Sequence, residues 1–263
     1  MKKGFILFII MTAAVTTAAS GAHAREVADP LDTHARLVIG VGTDNWNRNS
    51  NIDGVQNINA PTFIGYLEED AEGLYLAYHV TLSGGGLGSV TFMDGTKTSN
   101  TFMTNLNMDF QGVCYTTKGI AVMLGPYIGL TAAGMGGASS NVSTVKGDAE
   151  GIIISTLGAS LRVHSFIGDY IELALQGFYG FWTPYSNLTV VSASTGPLGG
   201  TNTIAYSFDN ISDLGLGFQL GIRIMRQIGV VVGIRYEDTR VARTGKNMDI
   251  TNLNSLLALG LWF

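Results

Sequence analysis

A closed antiparallel β-barrel that crosses a membrane is the fold class this sequence predicts, and three observations predict it. Charged residues make up only 13% of the 263, while 46% are hydrophobic and 35 are glycine. Soluble domains carry about 25% charged residues, so much of this surface is built to face something other than water. After the first 24 residues no stretch offers the roughly 18 uninterrupted apolar residues of a membrane helix. Residues 120–135 are broken by Pro126 and several glycines, and residues 214–234 carry Gln219, Arg223, Arg226 and Gln227. Apolar and polar residues instead alternate with period 2 along segment after segment. Lipid gives an open backbone no hydrogen-bond partner, which leaves the closed barrel.

Residues 1–24 read as a secretory signal peptide: Lys2 and Lys3, an apolar run from Phe5 to about Ala19, then Ala22-His23-Ala24. Without the two signal lysines the mature chain has 13 basic and 20 acidic residues, a formal charge of −7. An acidic balance of this kind argues against nucleic-acid partners. Cys114 is the single cysteine, so no internal disulfide forms; it reads as a small residue of the barrel wall.

Residues 25–35 form a polar lead to a barrel domain spanning 25–263. The first strand runs from Arg36 to about Trp46, with Leu37, Ile39 and Val41 on one face. The second, Ala60 to Glu68, sets Phe63 and Leu67 against Thr62, Ile64 and Tyr66, and a turn follows at 69–72. The third, Gly73 to Ser83, sends Leu74, Leu76, Tyr78, Val80 and Leu82 outward and Tyr75, Ala77, His79 and Thr81 inward. The fourth has the clearest alternation: Phe102, Leu106, Met108 and Phe110 against Asn105, Asn107, Asp109 and Gln111.

The fifth strand, Ile120 to Ala132, places Ile120, Val122, Leu124 and Ile128 opposite Ala121, Gly125, Tyr127 and Gly129. The sixth, Gly151 to His164, opposes Leu157, Leu161 and Val163 to Thr156, Ser160 and Arg162; the seventh, Tyr170 to about Trp182, opposes Leu173, Leu175 and Tyr179 to Glu172, Ala174 and Gln176. A long loop to about Tyr206 precedes the eighth, with Leu214, Leu216, Phe218 and Leu220 outward and Gly217, Gln219, Gly221 and Arg223 inward. The ninth, Gly229 to Asp238, turns Arg235 and Glu237 inward, and a polar loop at 239–249 leads to the tenth. Ten strands is the expected count. Eight or twelve are the alternatives, because residues 88–93 and 188–194 have strand character and are read as hairpin extensions above the membrane.

Connections alternate between short turns (69–72, 116–119, 165–169 and 226–228) and segments of roughly 11 to 24 residues. Lipid-facing runs of about 11 residues, at about 3.3 Å each and tilted near 40°, stand about 28 Å tall, close to the apolar band of a membrane barrel. Phe102, Tyr179, Phe181 and Tyr236 on the loop side, and Tyr115, Trp262 and Phe263 on the turn side, suit interfacial girdles. A soluble barrel with the apolar face inward would expose a Gly, Asn, Gln and Thr surface nearly devoid of Lys and Glu, and is set aside.

The final strand, Asn254 to Phe263, puts Leu257, Leu259, Leu261 and Phe263 on one parity and ends on an aromatic residue. It resembles the terminal strand of Gram-negative outer-membrane β-barrels. The resemblance implies that these four residues form the signal read by the barrel-assembly machinery, that periplasmic chaperones escort the chain, and that outer-membrane lipid and lipopolysaccharide surround it. It also implies periplasmic termini and short turns, with extracellular long loops.

The expected lumen-lining polar set is His79, Asn105, Asn107, Asp109, Gln111, Arg162, Glu172, Gln176, Gln219, Arg223, Arg235 and Glu237. Antiparallel pairing across the short turns sets Arg162 opposite Glu172, Gln219 near Arg235 and Gly217 near Glu237. Such groups either neutralise one another in a filled lumen or line a narrow passage left by glycines such as Gly125, Gly129, Gly158, Gly215, Gly217, Gly221, Gly233 and Gly260. Small outer-membrane barrels also include hydrolases and lipid-modifying acyltransferases, and the ten-stranded omptin proteases resemble this chain in strand number only. Those need acidic residues and a histidine together at the extracellular rim. Here His34 falls in the lead, His79 on a lumenal face and His164 at a periplasmic turn, while Asp44, Asp94, Asp148 and Asp238 have no nearby histidine. No catalytic set, cofactor motif or metal-ligand spacing stands out. The expected function is a non-enzymatic barrel, either a narrow passive channel or a structural and surface-interaction protein, with an outer-membrane hydrolase or acyltransferase as the alternative.

Overall fold

Side chains at successive positions of an extended chain point to opposite faces, so a period-2 sequence produces sheets whose two faces differ in polarity. The computed structural model describes residues 34–52, 58–73, 75–87, 90–91, 97–98, 101–117, 119–135, 149–193 and 201–263. The signal-peptide reading, Asp94 and Asp148 lie outside the described residues.

Thirteen strands are present among them: β1 (His34–Ser50), β2 (Ile58–Glu72), β3 (Leu76–Leu87), β4 (Val90–Thr91), β5 (Lys97–Thr98), β6 (Thr101–Thr117), β7 (Ile120–Met135), β8 (Ala149–Ile167), β9 (Ile171–Ala193), β10 (Thr201–Tyr206), β11 (Asn210–Arg223), β12 (Ile228–Arg243) and β13 (Lys246–Trp262). Ten of them form the barrel. The order β9-β11-β12-β13-β1-β2-β3-β6-β7-β8 closes through the β8–β9 pairing, and every pairing is antiparallel. β10 pairs with the upper end of β9 alone, and β4 with β5 makes a separate two-stranded hairpin. Of the two expected hairpin extensions, 88–93 contains β4, and 188–194 contains the end of β9 against which β10 pairs, β5 and β10 themselves lying outside both ranges.

The apolar parity faces outward. Ile39, Val41, Phe63, Leu124, Leu175, Leu216, Leu257 and Leu259 are exposed, while Arg36, Asp109, Arg162 and Glu172 are fully buried inside. Short turns are tight, with Gly119 (φ +96°) and Gly168 (φ +61°) supplying the left-handed residues that reverse β6 into β7 and β8 into β9. A bulge between Val113 and Tyr115 in β6 leaves Cys114 exposed on the wall.

The strands outrun a bilayer. β9 has 23 residues, which at about 3.3 Å each and a tilt near 40° rise about 58 Å, against an apolar band of about 25 Å. Above the band the polarity of the wall inverts. On β1 the outward residues become Thr43, Asn45, Asn47 and Asn49 while Trp46 turns inward. On β12 and β13 the outward Asp238, Arg240 and Asp249 back onto an interior of Val241, Met248 and Ile250. These join Ile52, Met103, Ile152, Ile154, Leu188, Phe208 and Ile211 in one apolar core at the long-hairpin end. Below, the barrel is greasy outside and polar inside, the arrangement a lipid surrounding favours; above, it is polar outside and apolar inside, the arrangement water favours.

Several boundaries differ from the sequence reading. The expected turn at 69–72 is strand, β2 ending at Glu72 and β3 beginning at Leu76, which moves Tyr75 from the lumen to an exposed bend. Three acidic residues in four look like a solvated turn until cations from other strands are seen to meet them. Residues 183–193 continue β9 instead of opening a loop, and the loop expected at 239–249 is a tight reversal at Gly245 (φ +72°) between β12 and β13. Trp262, expected in the turn-side girdle, points into the barrel.

Candidate functional site

The interior of the barrel is where chemistry-bearing side chains gather, and it is layered. At the turn side, β1 contributes His34 and Arg36, and β2 contributes Glu68, Asp70 and Glu72 from one face of a single strand. Arg36 is the hub. Its Nε donates to Asp70 Oδ2 at 2.9 Å, Nη1 to Glu172 Oε1 at 2.6 Å, and Nη2 to Glu68 and to Gln219 Oε1 at 2.9 Å. Arg162 Nη2 donates to the same Asp70 oxygen at 3.0 Å. His79 Nδ1 lies 3.0 Å from Asp109 Oδ2, which also accepts from Gln176 Nε2 at 2.6 Å. Buried charges of this kind persist only where each is paired and hydrogen-bonded.

The wall at this level is closed by rings. Trp262 donates its indole N–H to Glu172, and the Arg223 guanidinium stacks over Trp262 at 5.1 Å and over Phe166 at 5.3 Å. His34, His164 and Phe166 pack edge to face and tilted, with centroids 4.7 to 5.2 Å apart. His164 Nδ1 pairs with Glu72 Oε1 at 2.6 Å, and its Nε2 lies 2.8 Å from Glu172 Oε1. Glu172 thus sits among two histidines, two arginines and a tryptophan, and His34, His164 and Glu172 are the described residues whose donor atoms converge as metal ligands would.

The middle layer is built around Arg235. Its guanidinium covers Phe178 at 4.9 Å, donates to Thr81 Oγ1 at 3.2 Å, and lies 3.4 Å from Glu237. Phe178 stacks on Tyr127 at 4.2 Å. The Asn107 amide bridges the Tyr127 hydroxyl (2.6 Å) and Arg235 (2.7 Å), and Asp213 accepts from Thr239 at 2.9 Å. Between the two polar layers lies a cavity of about 40 Å³ bordered by Tyr66, His79, Gln176, Gln219, Arg235 and Asn254. That is room for about three waters, on the scale of roughly 10–15 Å³ per ordered molecule. The apolar core of the long-hairpin end closes the top, capped by the buried Arg48–Glu150 pair.

Glycines on the inward parity house these rings. A Cβ at Gly215 would lie 1.9 Å from the Phe178 ring, one at Gly129 2.5 Å from the Tyr127 hydroxyl, and one at Gly260 2.4 Å from the Trp262 ring. The space that the sequence offered to a passage is taken up by aromatic side chains at these positions.

No protein-family model matches the chain, and no curated protein does. Among solved structures the chain is similar to the outer membrane protease OmpT of Escherichia coli, with 12% identity, a TM-score of 0.60, and coverage of 89% of this chain and 97% of that one. The fold is that of an outer-membrane β-barrel. The translocator domain of the autotransporter NalP from Neisseria meningitidis covers 95% of this chain and 97% of its own at 12% identity and a TM-score of 0.49.

Within this outer-membrane barrel all twelve expected lumenal residues point inward: His79, Asn105, Asn107, Asp109, Gln111, Arg162, Glu172 and Glu237 are buried, and Gln176, Gln219, Arg223 and Arg235 partly so. Their partners differ from the pairings read across the turns. Arg162 lies opposite Gln176 and Glu172 opposite Phe166, because β8 runs on to Ile167 before turning; Arg162 finds Asp70 instead, across the lumen. Arg235 lies opposite Gly217, Glu237 opposite Gly215 and Gln219 opposite Gly233, two residues from the expected register. The sequence reading missed Arg36, Glu68, Asp70, Glu72 and Trp262, and placed His34 in the lead and His164 at a turn; parity alone carries the last inward, two residues past Arg162. The terminal-strand residues Leu257, Leu259 and Phe263 are exposed on the outer face, with Leu261 on the same parity.

Proposed function

We propose that the protein is a sealed, non-enzymatic barrel of the bacterial outer membrane, whose working surface is the set of long hairpins raised above the bilayer. The reading rests on one observation: the lumen is filled from the turn side upward by an ionic layer, a ring of stacked aromatic and arginine side chains, and an apolar core, with a cavity of about 40 Å³ between the polar layers. A solute path would have to break Arg36 from three carboxylates and displace the Phe178–Tyr127 stack. The hairpins, stiffened by their own core and faced with Asn, Thr and Tyr, form a platform for surface interaction or envelope structure. Leu257, Leu259, Leu261 and Phe263 serve as the assembly signal, and lipid and lipopolysaccharide surround the outer apolar face.

The hydrolase or acyltransferase alternative gains nothing from the interior. Among the described residues the histidines, His34, His79 and His164, all lie in the turn-side layer, away from the long-hairpin end where a substrate from outside would arrive. Planar-bilayer recording on refolded protein tests the proposal. Silence over a wide voltage range is expected; discrete conductance steps from the wild-type chain would replace the sealed reading with a channel.

A further inference from the structure

We infer that His34, His164 and Glu172 form a site for a single divalent first-row transition metal, for which Zn2+ is the representative ion, at the turn-side mouth of the lumen. The inference holds whether or not the barrel conducts. The three donor atoms lie within 4.8 Å of one another, and all three side chains are buried. His34 Nε2 and His164 Nε2 are both buried without a hydrogen-bond partner. His34 Nε2 is 3.9 Å from Glu172 Oε1, and His164 Nε2, at 2.8 Å, is not aligned to donate to that oxygen. Two orphaned imidazole nitrogens aimed at one carboxylate oxygen are better explained by a shared cation than by chance burial, since buried polar atoms rarely go unsatisfied.

The surroundings follow the pattern of metal-binding histidines. His164 Nδ1 engages the Glu72 carboxylate at 2.6 Å, which fixes the tautomer and leaves Nε2 with a free lone pair facing the site. Glu172 Oε1 already accepts from Arg36 Nη1 at 2.6 Å, and its second lone pair is available. Asp70 Oδ1, 3.6 Å from His34 Nε2 and itself without a hydrogen bond, can complete a fourth position. Bond lengths of about 2.0–2.1 Å need donors about 3.3 Å apart, a shift of about an ångström by the His34 ring.

Charge points the same way. The turn-side layer holds five carboxylates, Glu68, Asp70, Glu72, Asp109 and Glu172, against the guanidiniums of Arg36, Arg162 and Arg223. With neutral imidazoles the layer carries an excess of two negative charges, which one divalent ion removes. Protonating two of the layer's three histidines would also remove it, His79 beside Glu68 and Asp109 being one of them; a divalent ion removes it while both imidazoles that face Glu172 stay neutral. The chemistry of the donors, two imidazoles and carboxylate, suits Zn2+ and its first-row neighbours over Mg2+ or Ca2+.

The test uses the full-length barrel in detergent, stripped with chelator, loaded with excess Zn2+, passed through gel filtration and analysed for metal. About one ion retained per folded chain is expected, with at least a tenfold loss in His34→Ala and in His164→Ala, and with His79→Ala, in the same layer, unchanged. Co2+ substitution should give visible ligand-field bands that vanish in His34→Ala. If His164→Ala fails to fold because Glu72 loses its partner, His34→Ala carries the test, since its ring makes no hydrogen bond; heat-modified gel mobility and circular dichroism check the fold. No retained metal in the wild type, or equal retention in His34→Ala, overturns the site and leaves the imidazoles as protonated partners of Glu72 and Glu172.

Discussion

Arg36 on the first strand donates from Nη1 to Glu172 Oε1 at 2.6 Å, joining residues 136 apart in the chain across the base of the barrel. The same guanidinium holds Glu68 and Asp70, so removing it leaves three carboxylates facing one another without water. Breaking a buried pair by deleting one partner costs about 3–5 kcal/mol. Arg36→Met should therefore lose stability of that order in urea unfolding from lipid vesicles, and its conductance should stay silent because the apolar core above is untouched. A loss within about 0.5 kcal/mol, the size typical of an exposed surface site, would mean the hub is not structural.

Phe178 fills the room left by Gly215 and stacks between Tyr127 and Arg235. Gly215→Ala should cost about 1–3 kcal/mol, because the new methyl evicts the ring from both partners. Phe178→Ala should cost about 3–5 kcal/mol. The two changes act through one contact, so in the Phe178→Ala background the Gly215→Ala cost should nearly vanish, a coupling a double-mutant cycle reads directly. Additive costs would show that the ring and the glycine are independent.

The last two residues should separate stability from assembly. Trp262 points inward and donates to Glu172, whereas the Phe263 ring is exposed on the outer face. Trp262→Phe removes a hydrogen bond to a buried charge and should lower unfolding stability by about 1.5–3 kcal/mol. Phe263→Ala should leave refolded stability within about 0.5 kcal/mol, as a surface change does, yet slow insertion by reconstituted assembly machinery. Equal insertion rates for Phe263→Ala and the unaltered chain would remove the proposed signal.

The period-2 pattern made the barrel legible because lipid on one side and packed polar groups on the other leave each position only two environments. Asn105, Asn107, Asp109 and Gln111 could be placed inward from β6 alone. Pairings are harder: a strand end read three residues short, at His164 instead of Ile167, shifts every partner, which sets Arg162 against Glu172 where the structure has Gln176, and the contact to Asp70 lies across the lumen, outside any pairing of neighbouring strands. The acidic run Glu69 to Glu72 has no apolar alternation, so nothing local marks it as strand. What makes it strand is Arg36, Arg162 and His164, supplied from β1 and β8, and long-range neutralisation leaves no trace in the segment itself.

The inversion of wall polarity predicts where the membrane ends. Below it Leu216, Leu257 and Leu259 look out of the barrel; above it the outward positions are Asn45, Asn47 and Arg240, the last paired with Asp238 at 2.7 Å on the surface. Nitroxide labels at Leu216 and Leu257 in vesicles should relax with dissolved oxygen and be shielded from a water-soluble nickel complex. Labels at Asn45 and Arg240 should respond in the opposite sense. Between Val41 and Asn45 on β1 the two responses should cross, four residues that at about 3.3 Å each and a tilt near 40° span about 10 Å of height. Substituting Asp for Leu257 should impair insertion, because a charge there meets hydrocarbon, whereas Asp for Ile250 should leave insertion intact and instead unfold the upper hairpins, whose core Ile250 helps fill. Oxygen-type accessibility at Asn45 or Arg240 would place hydrocarbon against that polar surface and dismiss the inverted upper barrel.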